Sequence, residues 1–316
     1  MRLADHPVMR PHERNDRTPE SANREAGTQV PGWRDLGGVQ ARGVVTSRFR
    51  LDGGSMFGQV PKPLWSRFSK ADRENRVPLV VRSLLVRRGG ALLLVDPGMG
   101  GRYDDGERLR LDVDPRYDSL AATLRASGVV PEEITDVLLT HLHFDHIGGL
   151  ARAEPGSPGG FAPELPGARL LASRSQWERA RAPGPKERRS FRPRDLEVLE
   201  SLDPLLLDAP QEILPRVFVT PSEGHTRGLL TVRVVGESES LHYPTDLIPL
   251  LAHIRLPYTT GFDLWPERLL DEKQAILADA AATGAWIVFA HDPRTAAARV
   301  MPGAEGYAVR ERLEDF

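Results

Sequence analysis

The residues best suited to chemistry lie in one short segment, Thr140-His141-Leu142-His143-Phe144-Asp145-His146-Ile147-Gly148-Gly149. It directly follows the apolar run Val137 to Thr140, which predicts a strand. Three imidazoles and one carboxylate within six residues supply the nitrogen and oxygen donors that zinc and similar ions bind. A solvated polar loop explains the cluster poorly, because the chain has only 9 histidines among 316 residues. We therefore expect a metal site, with Gly148-Gly149 turning the backbone away and leaving space beside the ions.

The segment resembles the HxHxDH motif of the metallo-beta-lactamase superfamily, and other motifs of that family occur in order. Val95-Asp96-Pro97-Gly98 resembles the motif whose aspartate orients the site from behind the ligands. Gly224-His225-Thr226 resembles the loop that supplies a third histidine. Asp246 follows a predicted strand as the bridging aspartate does, and His291 follows the apolar run Trp286 to Ala290. From about residue 40 to the end, the resemblance implies an αβ/βα sandwich with its site at one edge of two packed sheets.

The resemblance also implies a ligand set for two divalent ions. It assigns His141, His143 and His225 to the first ion, Asp145, His146 and His291 to the second, and Asp246 to both. Taken alone, His225 also fits a loop histidine, Asp246 a turn residue, and His291 a polar residue that ends a strand. The cluster and the order of the motifs favour the metal ligands.

Two positions near the implied ligands differ from common patterns of the family. Thr245 precedes the bridging aspartate where glycine is usual, and Arg227 stands where proline often follows the His-Thr pair. Neither change removes a ligand, but both affect the fine geometry of the site. Asp246 in place of a cysteine fits a carboxylate-bridged hydrolase better than a broad-spectrum β-lactamase with a cysteine ligand.

Two ions that share a hydroxide provide a nucleophile at neutral pH, because metal charge lowers the pKa of bound water to roughly 7. Such a site suits hydrolysis of esters, lactones, amides or phosphoesters. Asp145 is then the expected proton carrier when the tetrahedral intermediate collapses. Zinc is the expected metal, and manganese, iron or cobalt are alternatives because His and carboxylate ligands accept them as well.

Two segments resemble one branch of the family in particular, Leu51 to Trp65 and Leu247 to Tyr258. That branch contains quorum-quenching N-acyl-homoserine lactonases and phosphotriesterases similar to methyl parathion hydrolase. A lactonase is therefore the first expectation, a phosphotriesterase or arylesterase the second, and a glyoxalase-like thioesterase the third. A metal-binding scaffold or sensor is less favoured because no ligand is missing.

From these segments we predict that Phe57, Trp65 and Tyr258 form the wall of the substrate pocket and that His253 assists catalysis. Core packing is the alternative for the three aromatic residues, and a structural histidine is the alternative for His253. Lactonases of this branch often carry a tyrosine where Leu247-Ile248-Pro249 stands here. His253 and Tyr258 are the candidates to replace it.

The elements around these motifs alternate between strand-rich blocks and helices. Arg87-Arg88-Gly89-Gly90 predicts a hairpin turn between two apolar runs, and residues 151–168, rich in Pro and Gly, predict a long loop. The predicted strands are Leu79 to Val86, Ala91 to Val95, Ile134 to Thr140, Val217 to Thr220, Leu229 to Val235, Ser240 to Tyr243 and Trp286 to Ala290, and the predicted helices are Tyr117 to Ala126, Arg174 to Arg181, Pro193 to Leu202 and Pro266 to Ala282. This pattern favours an α/β fold of two mixed sheets with helices outside.

Composition narrows the class of partner. The chain has 42 Lys and Arg against 44 Asp and Glu, which argues against a nucleic-acid surface. It has no cysteine, so disulfides and thiolate ligands are excluded. No apolar run reaches membrane-spanning length, so we expect a cytoplasmic enzyme with a small-molecule ester, lactone or phosphoester substrate, and a homodimer is possible. Residues 1–32 lack aromatic residues and predict a flexible polar arm before a catalytic domain at 33–316.

Overall fold

The computed structural model describes residues 32–208, 210–304 and 306–316. The predicted arm therefore lies outside the described residues, except for Gly32. Trp33, where we expect the catalytic domain to begin, is buried against the apolar core. The domain boundary itself stays a prediction. Within the described residues, no helix is both long and apolar enough to cross a membrane.

Strands make up most of the regular structure of the described residues. They are β1 (Arg34–Asp35), β2 (Gln40–Asp52), β3 (Arg76–Arg88), β4 (Ala91–Val95), β5 (Asp136–Leu139), β6 (Ala151–Ala153), β7 (Phe161–Pro163), β8 (Arg169–Ser173), β9 (Leu205–Leu207), β10 (Gln211–Leu214), β11 (Val217–Ser222), β12 (Leu229–Val235), β13 (Ser240–Tyr243), β14 (Trp286–Val288), β15 (Ala297–Gly303) and β16 (Gly306–Leu313). The helices are α1 (Gly53–Phe57), α2 (Lys62–Trp65), α3 (Asp105–Leu111), α4 (Leu120–Ala126), α5 (Phe144–Ile147), α6 (Arg174–Arg181), α7 (Pro193–Ser201) and α8 (Pro266–Thr283).

Two large sheets account for nearly all of these strands. Among the described residues, the first sheet has the order β1-β2-β3-β4-β5-β8-β9 and the second has the order β10-β11-β12-β13-β14-β15-β16. Both are mixed: β4, β5, β8 and β9 pair in parallel in the first, and β13 pairs in parallel with β14 in the second. These parallel pairs are joined by long connections that contain helices, as parallel pairing requires.

The main core lies between the two sheets. On β12 every second residue points inward, so Leu230, Val232 and Val234 meet Leu84 and Val95 of the first sheet. Helices cover the outer faces: α4 and α7 pack on the first sheet, and α8 packs on the second. Two sheets between two helical layers confirm the predicted αβ/βα four-layer sandwich.

Several strands escape prediction from the sequence for local reasons. β2 carries arginines at 42, 48 and 50, and a register shift between Val45 and Ser47 interrupts its alternation. β16 is an edge strand that is largely exposed and polar, so it has no apolar face to reveal it. The predicted loop at 151–168 contains the short hairpin of β6 and β7, which the sequence did not indicate.

Candidate metal centre

The predicted ligands all lie in the segments that directly follow strands at one edge of the sandwich. β5 ends at Leu139, and the loop after it carries His141 and His143, while α5 carries Asp145 and His146. The remaining three belong to the second sheet: His225 lies between β11 and β12, Asp246 follows β13, and His291 follows β14. The site is thus formed by both sheets.

One group of side chains consists of His141, His143, His225 and Asp246, whose candidate ligand atoms all lie within 4.8 Å of one another. His225 Nε2 is 3.2 Å from His143 Nδ1 and 3.3 Å from Asp246 Oδ2. His141 Nε2 is 3.7 Å from the same Oδ2. Ligand atoms about 2.0–2.1 Å from a tetrahedral zinc ion stand about 3.3 Å apart, so the spacing fits such an ion.

A second group consists of Asp145, His146 and His291, again within 4.8 Å. His291 Nε2 is 3.2 Å from His146 Nε2 and 3.8 Å from Asp145 Oδ2. The other oxygen of Asp246, Oδ1, lies 2.9 Å from His291 Nε2 and 3.3 Å from His146 Nε2. The two oxygens of Asp246 are therefore divided between the two groups, which is the geometry that a bridging carboxylate needs.

The charges of the centre depend on Asp246. Burial by itself lowers the pKa of His146, His225 and His291, but the negative charges of Asp246 and the neighbouring carboxylates together outweigh burial, so the net pKa of all three is raised. Burial, followed by the neighbouring imidazoles, holds the pKa of His141 and His143 well below the usual value, so both rings are neutral donors. Burial by itself raises the pKa of Asp246. The charges of His291, His146 and His225 lower it by more than burial raises it, so the net pKa is well below the usual value. His141 Nε2 is buried and has no hydrogen-bond partner among the described residues. A buried lone pair without a donor is what a metal ion would satisfy.

Four of the five histidines are held by a bond at Nδ1 that leaves Nε2 facing the centre. His146 Nδ1 donates to Asp96 Oδ2 at 2.9 Å, as the resemblance implies for Asp96, and His291 Nδ1 donates to the carbonyl of Val80 at 2.8 Å. His141 Nδ1 lies 3.1 Å from Thr140 Oγ1, and His225 Nδ1 donates to Asp263 Oδ1 at 2.7 Å. Such partners fix the tautomer and orientation of ligand imidazoles.

Asp263 is a residue of the site that the sequence analysis did not identify. It is buried, and its Oδ2 accepts the backbone N–H of Thr260 at 2.6 Å, which fixes the carboxylate against His225. The buried Nζ of Lys273 binds the same segment by donating to the carbonyls of Arg255 at 3.1 Å and Tyr258 at 2.5 Å. No spacing in the sequence connects Asp263 with His225, 38 residues away.

The structure gives Gly148 and Gly149 a different role from the expected one of turning the backbone away and leaving space beside the ions. The φ of Gly148 is −59°, which any residue adopts. A Cβ at Gly148 would lie 2.1 Å from the carbonyl oxygen of Met99, and one at Gly149 would lie 2.2 Å from that of Pro97. The glycines therefore allow the loop that carries Asp96 to pack directly against the ligand helix.

A narrow cleft opens above the two groups of ligand side chains. Besides metal-group residues it is lined by apolar side chains and two hydroxyl residues, namely Phe49, Leu51, Met56, Leu79, Phe144, Pro249, Phe262, Ser190 and Thr260. Most of the apolar wall comes from β2, the helix that follows it, and β3.

The residues predicted to form the pocket wall lie elsewhere. Phe57 and Trp65 stack at 5.2 Å and are 0% and 2% exposed, and Gly53 permits this because a Cβ there would lie 2.4 Å from Trp65. His253 stacks on the same Phe57 at 5.4 Å, and its Nε2 donates to the carbonyl of Met56. Tyr258 packs edge-on against its neighbour Phe68. The structure thus assigns the four predicted residues to an aromatic core cluster instead of the cleft lining.

His253 is buried, as Phe57 and Trp65 are. Burial, followed by the charge of Lys273, lowers the pKa of His253 to about 3, so its ring is neutral. It does not line the cleft, and the geometry gives no support to its predicted part in catalysis.

Comparison with known proteins gives a consistent result. The family model described as Metallo-beta-lactamase superfamily matches residues 76–291, more than half of the chain. No curated protein matches significantly. Among solved structures, a probable metal-dependent hydrolase from Staphylococcus aureus is 24% identical with a TM-score of 0.80, covering 89% of this chain and 98% of that one.

Two further solved structures are more distant. AidC, described as a dizinc quorum-quenching lactonase in complex with a product, is 19% identical with a TM-score of 0.69, covering 88% of this chain and 95% of that one. A hydrolase named AbOPH, described as in the beta lactamase superfamily, is 21% identical with a TM-score of 0.68. The match covers 89% of this chain and 98% of that one. At these identities the likeness shows a shared fold.

Proposed function

Since this chain belongs to the metallo-beta-lactamase superfamily, we propose that it is a dinuclear metal-dependent hydrolase that opens lactones carrying an apolar acyl chain. The observation that carries the proposal is the division of the two Asp246 oxygens between two groups of ligand side chains. A structural metal site needs only one closed group of ligands, whereas two adjoining groups beneath an open cleft suit hydrolysis.

The first ion would be held by His141, His143 and His225, the second by Asp145, His146 and His291, and both by Asp246. Zinc is the proposed metal, and manganese, iron or cobalt fit the same donors. When bound, the ions supply a nucleophile at neutral pH and polarise the carbonyl of the scissile bond. Asp96 and Asp263 keep His146 and His225 oriented toward the ions.

Asp145 is the proposed proton carrier. It lines the cleft, and it follows directly after Phe144 of the apolar wall. A carboxylate at this point can take a proton from the collapsing tetrahedral intermediate and pass it to the leaving alkoxide. The ring-opened product then carries a carboxylate and a hydroxyl.

The lining of the cleft supports a lactone with an acyl chain. Seven apolar side chains line it, and burial of a chain against them stabilises binding by roughly 25 cal/mol per Å². AidC, one of the structural relatives, is described as a lactonase. None of the described residues that line the cleft is Lys or Arg, so the carboxylates of a glutathione thioester would have no cationic partner.

A substrate panel tests the proposal. Lactones with short, medium and long acyl chains, aryl esters and a paraoxon-like phosphotriester are compared on protein of known metal content. We expect lactones to have the highest kcat/KM and the value to rise with chain length. A phosphotriester with a higher kcat/KM than every lactone would replace the lactonase with a phosphotriesterase and leave the dinuclear site intact.

Cleft variants sharpen this test. Leu51→Ala and Phe262→Ala should lower kcat/KM more for lactones with long acyl chains than for those with short ones. The difference should be about fifteen-fold for roughly two methylenes of lost contact. Leu109→Ala is the matched control, because Leu109 is 80% exposed and lies outside the cleft. Equal losses for all chain lengths would contradict the assignment of the acyl chain to this wall.

A further inference from the structure

Thr245, the residue before the bridging aspartate, has an unusual backbone conformation. Its φ is 49°, in the left-handed region, and its side chain is completely buried. Glycine adopts this region freely, and Asp or Asn adopt it with local hydrogen bonds, but for a β-branched residue it is strained. The superfamily pattern usually has glycine at this position, so the strain in this chain is avoidable and calls for a compensating role.

The hydroxyl of Thr245 provides that role. Its Oγ1 accepts the backbone N–H of Asp246 at 2.6 Å and lies 3.4 Å from Asp246 Oδ1. The same Oγ1 is 3.5 Å from Thr140 Oγ1. A glycine would give the backbone the same freedom but would remove the acceptor for this N–H.

Thr140 joins the hydroxyl to the rest of the site. Its N–H and its hydroxyl donate to the two oxygens of Asp96, at 2.8 Å and 2.7 Å. Asp96 in turn accepts His146 Nδ1, and Thr140 Oγ1 also lies beside His141 Nδ1. One polar network therefore runs from the ligand histidines of the first sheet to the bridging residue of the second.

We propose that Thr245 is a positioning residue for the bridging carboxylate. Its hydroxyl fixes Asp246 so that each oxygen stays with its own ligand group, and the left-handed strain is the cost of that fixation. The inference rests on the proposed dinuclear function. On this proposal, the strain at Thr245 lowers the stability of the metal-free protein, whereas its hydroxyl raises the affinity for metal.

Three substitutions at Thr245 separate the effect of its hydroxyl from the effect of its backbone strain. Thr245→Ser keeps the hydroxyl and loses the β-branch, Thr245→Val keeps the branched shape and loses the hydroxyl, and Thr245→Gly removes both the strain and the hydroxyl. Each purified variant is compared with the wild type by urea unfolding after removal of metal with a chelator. Each is then titrated with Zn²⁺ against a competing chelator.

We expect Thr245→Gly to have a higher urea midpoint than Thr245→Val in the metal-free protein, and yet to have a Zn²⁺ affinity roughly 10- to 100-fold below that of the wild type, as for other residues that support ligands. Thr245→Val should lower the affinity by a similar factor without raising the midpoint. Thr245→Ser should stay within a few-fold of the wild-type affinity. A Gly or Val variant that binds both ions as tightly as the wild type would overturn the inference.

The wild-type titration separates this result from the proposed function. Wild-type protein that binds fewer than two ions would refute the dinuclear centre itself, and with it the role of Thr245. Two ions in the wild type with unchanged affinity in the variants would refute only the positioning role. A lower midpoint for Thr245→Gly than for Thr245→Val would also overturn the inference, because both variants lack the hydroxyl and only the glycine is free of the left-handed strain.

Discussion

Lys273 leads to a quantitative prediction about pH and stability. The residue is fully buried in α8, and its Nζ donates to two carbonyls of the segment that leads to Asp263. Burial lowers the pKa of Lys273 from 10.5 to about 8, and Asp263 opposes the shift. The perturbation is Lys273→Met, which keeps the length of the side chain and removes the titrating group.

The direction follows from proton linkage. The folded protein releases the proton of Lys273 near pH 8, whereas the unfolded chain keeps it until near pH 10.5. Between these values the unfolded state binds more protons, so the free energy of unfolding rises with pH. From about pH 7.5 to about pH 9.5 the contribution of Lys273 to this rise is about 2 kcal/mol.

Urea unfolding at a series of pH values measures the effect, with equal metal content in all proteins so that metal linkage cancels. Over this window, we expect the free energy of unfolding of the wild type to rise by about 2 kcal/mol more than that of Lys273→Met. Lys70→Met is the control, because Lys70 is exposed and its loss should leave the slope unchanged. Parallel curves for the wild type and Lys273→Met would refute the reasoning, whatever their absolute stabilities.

Three further predictions concern the metal centre. Gly149→Ala would bring a Cβ within 2.2 Å of the Pro97 carbonyl, so thermal unfolding should show a loss of roughly 1–3 kcal/mol, while Gly90→Ala, where nothing lies within 4 Å, should cost far less. Asp263→Asn should keep the fold by circular dichroism and lower metal affinity roughly 10- to 100-fold in chelator competition, and unchanged affinity would contradict its role in orienting His225. His143→Ala should reduce both metal content, by elemental analysis, and turnover, whereas His242→Ala, which removes the pair of His242 with Asp279 of α8, should leave metal content unchanged.

Local patterns in the sequence predicted the two mixed sheets with outer helices, and the resemblance of its motifs to a known family implied which ligand residues come together. Apolar runs fixed most inner strands, and the order of the motifs indicated which loops meet. The cleft wall was not predictable in the same way. Phe49 and Leu51 lie on a strand interrupted by arginines and a register shift, and nothing in the sequence shows that Met56 faces the cleft while Phe57 faces Trp65.

Other features depend on contacts between distant segments. Asp263 meets His225 because Lys273 and Thr260 hold its loop, and a lysine within a helical pattern ordinarily predicts an exposed position. The sequence did mark Thr245 as a departure from the family. Only the backbone angle and the hydrogen bond to Asp246 reveal its consequence.

The origin of the ligands in both sheets also has a mechanical consequence. His141 to His146 follow a strand of one sheet, whereas His225, Asp246 and His291 follow strands of the other. Ions bound between them would act as a clasp that closes the sandwich at this edge, in parallel with the apolar core. In a single-molecule pulling experiment, the loaded protein should therefore resist separation of its two sheets at higher force than the chelated protein.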